Sequence, residues 1–177
     1  MRLIMKIVLT AVVFTNAVVL AQGKNYNLGL VPTETEIKAI DTLVDPDGEL
    51  LPDGQGTVTE GATLFTQRCA MCHGPNGEGT NTPAGIGPQL VAKDLTGSEA
   101  IRGGRYYFAT ILWSYIYRAM PLHQERTLTV DQAYALSAFL LFRNGIISEN
   151  EVMNQATLPK VKMPNAGKWK YPSESSG

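Results

Sequence analysis

The residues best suited to carry chemistry lie in one short stretch, where a histidine directly follows the second of two closely spaced cysteines. Cys69 and Cys72 are the only cysteines in the 177 residues, and His73 is the next residue. Two thiols at this spacing on one helical turn can each form a thioether with one vinyl group of a porphyrin, while the adjacent imidazole binds its iron. The motif therefore predicts one covalently attached haem c.

Two other kinds of site use the same cysteines, namely a redox-active disulfide and a zinc centre. A redox-active pair normally opens a helix that follows a strand, and no such context precedes Cys69. Zinc needs four ligands, and the sequence offers only Cys69, Cys72, His73 and His123. Because Cys72 and His73 are neighbours, they can hardly both reach a tetrahedral ion together with Cys69. Haem attachment is the favoured interpretation.

The far side of the iron requires a second ligand or stays open. Met120 is the leading candidate, because it ends a helical pattern and Pro121 stiffens the turn that would present its sulfur. A thioether ligand favours ferrous iron and raises the reduction potential. His123 and Met163, which belongs to a second Met-Pro pair, are alternatives, and an open position would indicate a haem enzyme or gas sensor. The predicted iron ligands are His73 and Met120.

A glycine- and proline-containing segment after the cysteines is predicted to contact the cofactor. The carbonyl of Pro88 can accept a hydrogen bond from the ring N–H of His73 and so fix the orientation of the imidazole. Gly87 would let the backbone approach the porphyrin, and Leu90 would pack on it. The alternative is an ordinary Gly-Pro loop.

Three helices are predicted to position these residues. Thr59 is the expected N-cap of a helix that reaches Cys69. Apolar residues at helical spacing over 107–120 predict a second helix. Thr129 and Gln132 form a capping-box pattern at the start of a third helix, which Asn144-Gly145 ends. No strand alternation is convincing, so the predicted fold class is all-α, with helices and long loops around one haem.

The sequence divides into four predicted regions. Residues 1–21 are a signal peptide, and residues 22–58 are an irregular acidic arm with a short helix near 33–40. Residues 59–145 form the cofactor domain, and residues 146–177 form an irregular tail.

The first region predicts export from the cytoplasm. Arg2 and Lys6 precede an apolar run, and small residues allow cleavage after Ala21. Retention of this run as a membrane anchor is the alternative. After removal, we expect a periplasmic protein with no membrane span.

Charge is distributed unevenly along the chain. Residues 22–60 carry eight acidic and two basic side chains, whereas residues 61–177 carry eight acidic and eleven basic ones. Such asymmetry can guide docking to a protein partner, or it can be an ordinary solvated surface. Neither part is basic enough to predict nucleic-acid binding.

A wider set of residues resembles the class I cytochromes c over about residues 59–145. The set comprises Gly61, Phe65, Cys69, Cys72, His73, Gly87, Pro88, Leu90, Met120 and Pro121. In that family the glycine lets the first helix cross closely over the last one, and the aromatic residue packs in the crossing. The resemblance implies that Gly61 and Phe65 meet Leu136 and Phe139.

Finer detail resembles the cytochrome subunit of the sulfite or sulfane dehydrogenases of sulfur-oxidising bacteria. The similar segments are 26–29, 112–121, 135–141, 144–147 and 158–165. The resemblance implies a molybdenum-containing partner that performs the catalysis, and an electron-transfer role without catalytic residues for this chain. Electrons would then pass to a downstream cytochrome c or oxidase. The alternative is electron transfer for another periplasmic dehydrogenase, or a role as a freely diffusing cytochrome c.

Overall fold

The structure is a computed structural model, and it describes residues 29–40, 44–82, 85–92 and 106–168. The predicted signal peptide and the start of the arm lie outside the described residues. The chain divides into two compact units, residues 1–39 and residues 40–177, which are described separately.

The first unit contributes the short helix predicted in the arm. This helix, α1, spans Glu34–Ile40. The hydroxyl oxygen of Thr33 accepts a hydrogen bond from the backbone N–H of Glu36 at 3.2 Å, and the Glu36 carboxylate accepts one from the Thr33 N–H at 2.8 Å. These two bonds satisfy backbone donors at the helix start that have no partner within the helix. Leu30 and Val31, which precede it, are exposed.

The second unit holds the remaining elements. In chain order they are β1 (Gln55–Thr57), α2 (Val58–Arg68), α3 (Ala70–His73), β2 (Thr80–Thr82), β3 (Gly85–Gly87), α4 (Ala109–Ala119), α5 (Val130–Arg143) and β4 (Val152–Asn154), followed by 3₁₀ turns at Leu158–Lys160 and Ala166–Lys168. The helices dominate, and the four strands form two small antiparallel pairs, β1 with β4 and β2 with β3.

Helix α2 starts two residues earlier than the sequence predicted. The N-cap is Thr57, whose side chain accepts from the N–H of Glu60 while the Glu60 carboxylate accepts from the N–H of Thr57. The prediction of Thr59 as the cap is wrong, because the Thr-x-x-Glu pattern at Thr57 forms a reciprocal capping box that Thr59 lacks. The helix ends at Arg68, so that Cys69 caps it and α3 follows at once.

Helices α2 and α5 cross closely at a glycine. A Cβ at Gly61 would overlap the carbonyl oxygen of Ala135 and lie 2.7 Å from the Cβ of Phe139. One turn further along α2, the rings of Phe65 and Phe139 are 5.1 Å apart. The crossing expected from the family resemblance is therefore present, with Gly61 facing Ala135 and Phe139.

Helices α4 and α5 complete the core. Trp113 is stacked on Tyr117 with ring centroids 4.8 Å apart, and its ring is 5.3 Å from that of Tyr134. The Tyr134 hydroxyl donates to the carbonyl oxygen of Pro52 at 2.9 Å, so its polar end is satisfied although the side chain is buried. Helix α5 starts with the predicted capping box of Thr129 and Gln132.

The C-terminal segment has more structure than the sequence indicates. Strand β4 pairs with β1, in a register that puts Met153 opposite Gly56. Met153, Leu158 and Met163 are buried in the core. Three-residue strands are too short to show alternation, and isolated apolar residues give no period, so the sequence pattern over residues 146–168 resembles that of an irregular tail.

Candidate haem site

The cysteine–histidine segment lies on one turn at the junction of α2 and α3. The backbone N–H of His73 donates to the carbonyl oxygen of Cys69 at 2.9 Å, so the segment from Cys69 to His73 closes a helical turn. Both thiols are free and half-buried. This turn therefore offers two sulfurs and an imidazole along one wall of a cavity.

The cavity has a volume of about 340 Å³, within the range of small-molecule and cofactor pockets. Cys69, Cys72, His73, Pro88, Leu90 and Met120, the cofactor-binding residues predicted from the sequence, all line it. The remaining walls are largely apolar side chains, namely Phe65, Ile116, Leu128, Leu136 and Leu140. Such walls exclude water from a bound porphyrin.

The imidazole of His73 is oriented by the loop opposite. Its Nδ1 lies 2.8 Å from the carbonyl oxygen of Pro88. A carbonyl can only accept a hydrogen bond, so Nδ1 carries the proton and donates. The lone pair of Nε2 is then left free for a metal, which is the usual arrangement of a metal-binding histidine.

Gly87 permits this close approach of the loop. A Cβ at this position would overlap the carbonyl oxygen of Cys72 and lie 3.0 Å from Nδ1 of His73. The sequence predicts a close approach of Gly87 to the porphyrin, and the structure places it against the backbone of the cysteine–histidine turn. The absence of a side chain thus lets the loop fit behind the imidazole.

Asn144 at the end of α5 holds the other end of this loop. Its Nδ2 donates to the carbonyl oxygens of Leu90, at 3.1 Å, and Leu140, at 2.7 Å. Its Oδ1 accepts from the N–H of Ala92 at 3.3 Å. The sequence identifies Asn144 only as a helix terminator, because a contact between residues so far apart in the chain leaves no local pattern.

The fold distinguishes the three candidate ligands for the far side of the iron by their position relative to the cavity. Met120 lines the cavity at the end of α4. His123 is exposed in the following loop and is not among the lining residues. Met163 is buried in the core, also outside the lining. The geometry therefore favours Met120.

The environment of the free thiols argues against a redox-active disulfide. Burial raises the pKa of the Cys69 thiol to about 11, with the Arg68 charge opposing and Cys72 adding to the shift. Catalytic cysteines have a lowered pKa, since the thiolate is the reactive form. For zinc, the described residues contain no group of three or more histidine, cysteine or acidic side chains that could hold a metal ion.

These observations fit a haem c. The cavity presents two thiols for the vinyl groups, an imidazole with its Nε2 free, a thioether and apolar walls. Comparison with known proteins gives the same result: the family model "Cytochrome c" matches residues 58–142. A chain from the crystal structure of the sulfane dehydrogenase SoxCD of Paracoccus pantotrophus matches with 36% identity and a TM-score of 0.70, over 84% of this chain and 72% of that one.

The chain belongs to the class I c-type cytochromes. Its fold and its single covalent haem c are those of the family, and it is an electron carrier. No curated protein matches the cytochrome.

Several residues at the cavity of the cytochrome were not predicted from its sequence. They are Gln67, Arg68, Met71, Leu122 and Gln124, which all line the cavity. Met71 and Leu122 are 73% and 63% exposed, so they form an apolar rim rather than a buried wall. Their place at the cavity could have been predicted from their sequence positions beside Cys72 and Pro121, since residues next to cofactor-binding residues tend to lie at the cofactor edge.

Proposed function

We propose that Cys69 and Cys72 hold the haem through thioethers and that His73 and Met120 are its two iron ligands. Pro88 fixes the His73 ring through its carbonyl oxygen, and Leu90 packs against the porphyrin. The single observation that carries this assignment is the convergence of all six residues on one cavity.

The proposed function is one-electron transfer from a molybdenum-containing dehydrogenase subunit that oxidises sulfite or sulfane sulfur. Bound haem supplies the iron that alternates between the ferric and ferrous states. His73 and Met120 would both bind the iron and leave no ligand position for a substrate, so catalysis would take place on the partner. The likeness to a chain of the sulfane dehydrogenase SoxCD, at 36% identity, supports this partner.

The apolar rim supports a docking role for the cavity mouth. Met71 and Leu122 are largely exposed where they flank the cavity. Large apolar side chains that surround a redox cofactor are suited to contact with another protein, because that contact also excludes water between the two redox centres. A partner that covers this rim would be close to the haem edge.

The proposed location is the periplasm, followed by electron delivery to a downstream cytochrome c or oxidase. Covalent haem attachment is compatible with an exported protein, and the N-terminal pattern is that of a signal peptide. Among the described residues, no helix is both long and apolar enough to cross a membrane.

The function is tested by stopped-flow reduction of the purified holo-cytochrome. The ferric cytochrome is mixed with sulfite, or with a protein-bound sulfane donor, in the presence and absence of a sulfite or sulfane dehydrogenase molybdenum subunit. We expect rapid appearance of the ferrous spectrum only when substrate and molybdenum subunit are both present. Reduction without that subunit, or by another periplasmic dehydrogenase in its place, would contradict the proposal and favour a more general carrier.

A further inference from the structure

The loop that follows Met120 is tied to the cysteine-bearing segment by a side-chain contact. The Met120 loop, residues 120–128, begins at the end of α4 and returns to the core at Leu128, which is buried. Arg68, the last residue of α2, immediately precedes Cys69. Its Nη2 donates to the hydroxyl oxygen of Thr127 at 3.0 Å, although the two residues are 59 positions apart.

Hydrogen bonds continue from this contact towards Met120. The Thr127 hydroxyl donates its proton to the carbonyl oxygen of Gln124 at 2.7 Å, so its oxygen remains available to accept from Arg68. The N–H of Gln124 donates to the carbonyl oxygen of Pro121 at 2.9 Å. Pro121 is bonded directly to Met120. A continuous series of three hydrogen bonds therefore links Arg68 to the residue that follows the proposed sulfur ligand.

The Met120 loop needs such support, because its backbone is conformationally costly. His123 and Arg126 have φ values of +67° and +61°. These lie in the left-handed region, which side chains other than glycine adopt at a cost that surrounding contacts must offset. Leu122 and His123 are exposed and so contribute little packing. A contact that anchors the far end of the loop therefore matters for the position of its first residue.

We propose that Arg68 is a positioning residue that holds the Met120 sulfur on the haem iron by anchoring the Met120 loop through Thr127. We call this contact the Arg68 clasp. It joins the segment that carries the two thioethers to the segment that carries the sulfur ligand, at the cavity that Arg68 itself lines. The inference rests on the proposed ligation by Met120.

The clasp is tested by competition between Met120 and an external ligand. Imidazole is titrated into the ferric holo-cytochrome, and loss of the sulfur-to-iron charge-transfer band reports displacement of Met120. We expect Arg68→Met to increase the apparent imidazole affinity by about fivefold, the effect of one hydrogen bond. Thr127→Val should increase it at least as much, because it also removes the bond from the Thr127 hydroxyl to the Gln124 carbonyl. The double variant should show the effect of Thr127→Val alone rather than the product of two effects, because Thr127→Val already breaks the contact that Arg68→Met removes.

Two comparisons distinguish the clasp from an effect of the Arg68 charge or of removing any threonine hydroxyl. Thr127→Val removes no charge, so an effect confined to Arg68→Met would indicate electrostatics at the iron and would overturn the clasp. Thr66→Val is the matched control, since the Thr66 hydroxyl donates within α2 to the carbonyl oxygen of Ala62. It should leave the imidazole affinity unchanged, and an equal increase there would also overturn the clasp.

The wild-type spectrum distinguishes failure of the clasp from failure of the proposed ligation. A ferric cytochrome without the sulfur-to-iron band would refute ligation by Met120, and the clasp with it. A band that is present, together with wild-type imidazole affinity in Thr127→Val, would refute the clasp alone.

Discussion

At the residue scale, the proposed iron site depends on which nitrogen of His73 carries the proton and on which methionine supplies the sulfur ligand. The Pro88 carbonyl oxygen lies 2.8 Å from Nδ1 of His73, which keeps the proton on Nδ1 and leaves the lone pair of Nε2 free for the proposed bond to iron. Met120 lines the same cavity from the end of α4. Together they would supply both protein ligands of the proposed iron site.

The two Met-Pro pairs, at Met120 and Met163, allow a direct test of which methionine supplies the sulfur ligand. Met120→Leu should abolish the sulfur-to-iron charge-transfer band and lower the reduction potential, because the replacement keeps the side-chain volume but removes the thioether. Met163→Leu should keep both properties, since Met163 is buried in the core away from the cavity. Absorption spectroscopy and a redox titration check both variants. Loss of the band in Met163→Leu instead would assign the ligand to the tail.

At the element scale, the site is positioned by the crossing of α2 and α5 and by the hydrogen bonds that attach loops to α5. The crossing places the end of α2, and therefore the cysteine–histidine turn, over the C-terminal half of α5. Asn144 then attaches the Leu90–Ala92 segment to the end of α5. One helix thus supports both the turn and the loop that orients His73.

Gly61→Ala tests the crossing. In an exposed helix this change should stabilise by about 1 kcal/mol, because alanine has the higher helix propensity. Here the added Cβ would overlap the Ala135 carbonyl oxygen, so we expect a net destabilisation of about 1–3 kcal/mol. Guanidinium unfolding of the holo-cytochrome measures it, with Gly167→Ala as the control because no atom lies within 4 Å of its Cβ. A stabilised Gly61→Ala variant would show that the helices do not cross at this glycine.

Tyr134 links α5 to the segment before β1 and makes stability dependent on alkaline pH. Burial, followed by the charges of Asp53 and Asp131, raises the pKa of its phenol to about 12. An unfolded tyrosine has a pKa of about 10, so the stabilisation from Tyr134 is complete below about pH 10 and is lost as the pH rises through about 12.

Tyr134→Phe should therefore change the pH profile of unfolding. At neutral pH we expect a loss of about 1 kcal/mol, because the Pro52 carbonyl loses its donor. Between about pH 10 and 12, the variant should lose stability less steeply than the wild type. Guanidinium titrations followed by far-UV circular dichroism give both values. Parallel profiles of the two proteins over this range would contradict the burial of the phenol in the fold.

At the scale of the whole molecule, the exposed rim predicts where a partner docks. Leu122→Asp puts a charge at the cavity mouth and should slow reduction by the proposed molybdenum subunit at least several-fold. Leu50→Asp is the matched control, because Leu50 is 50% exposed and does not line the cavity. Stopped-flow kinetics at several partner concentrations compare them. Equal rates for both variants would place the docking surface elsewhere.

The site was more predictable from sequence than its supports were. Cys69, Cys72 and His73 indicate their chemistry by spacing alone, and the Pro88 carbonyl could be named because imidazole ligands need an acceptor behind them. The start of α5 followed from its capping box, and the error at Thr59 arose from passing over the Thr57–Glu60 pair. The Arg68–Thr127 contact, the Asn144 contacts and the burial of Met153 and Leu158 depend on residues brought together by folding, so no local pattern encodes them.

Covalent attachment of haem at Cys69 and Cys72 is tested most directly by the intact mass of the exported, mature protein, read beside its absorption spectrum after denaturation. We expect the mass of the polypeptide from residue 22 onwards plus one haem, with the porphyrin absorbance still attached to the denatured chain. Cys69→Ser with Cys72→Ser should give the bare polypeptide. A wild-type protein that also showed the bare mass, or that released its haem on denaturation, would contradict covalent attachment at these cysteines.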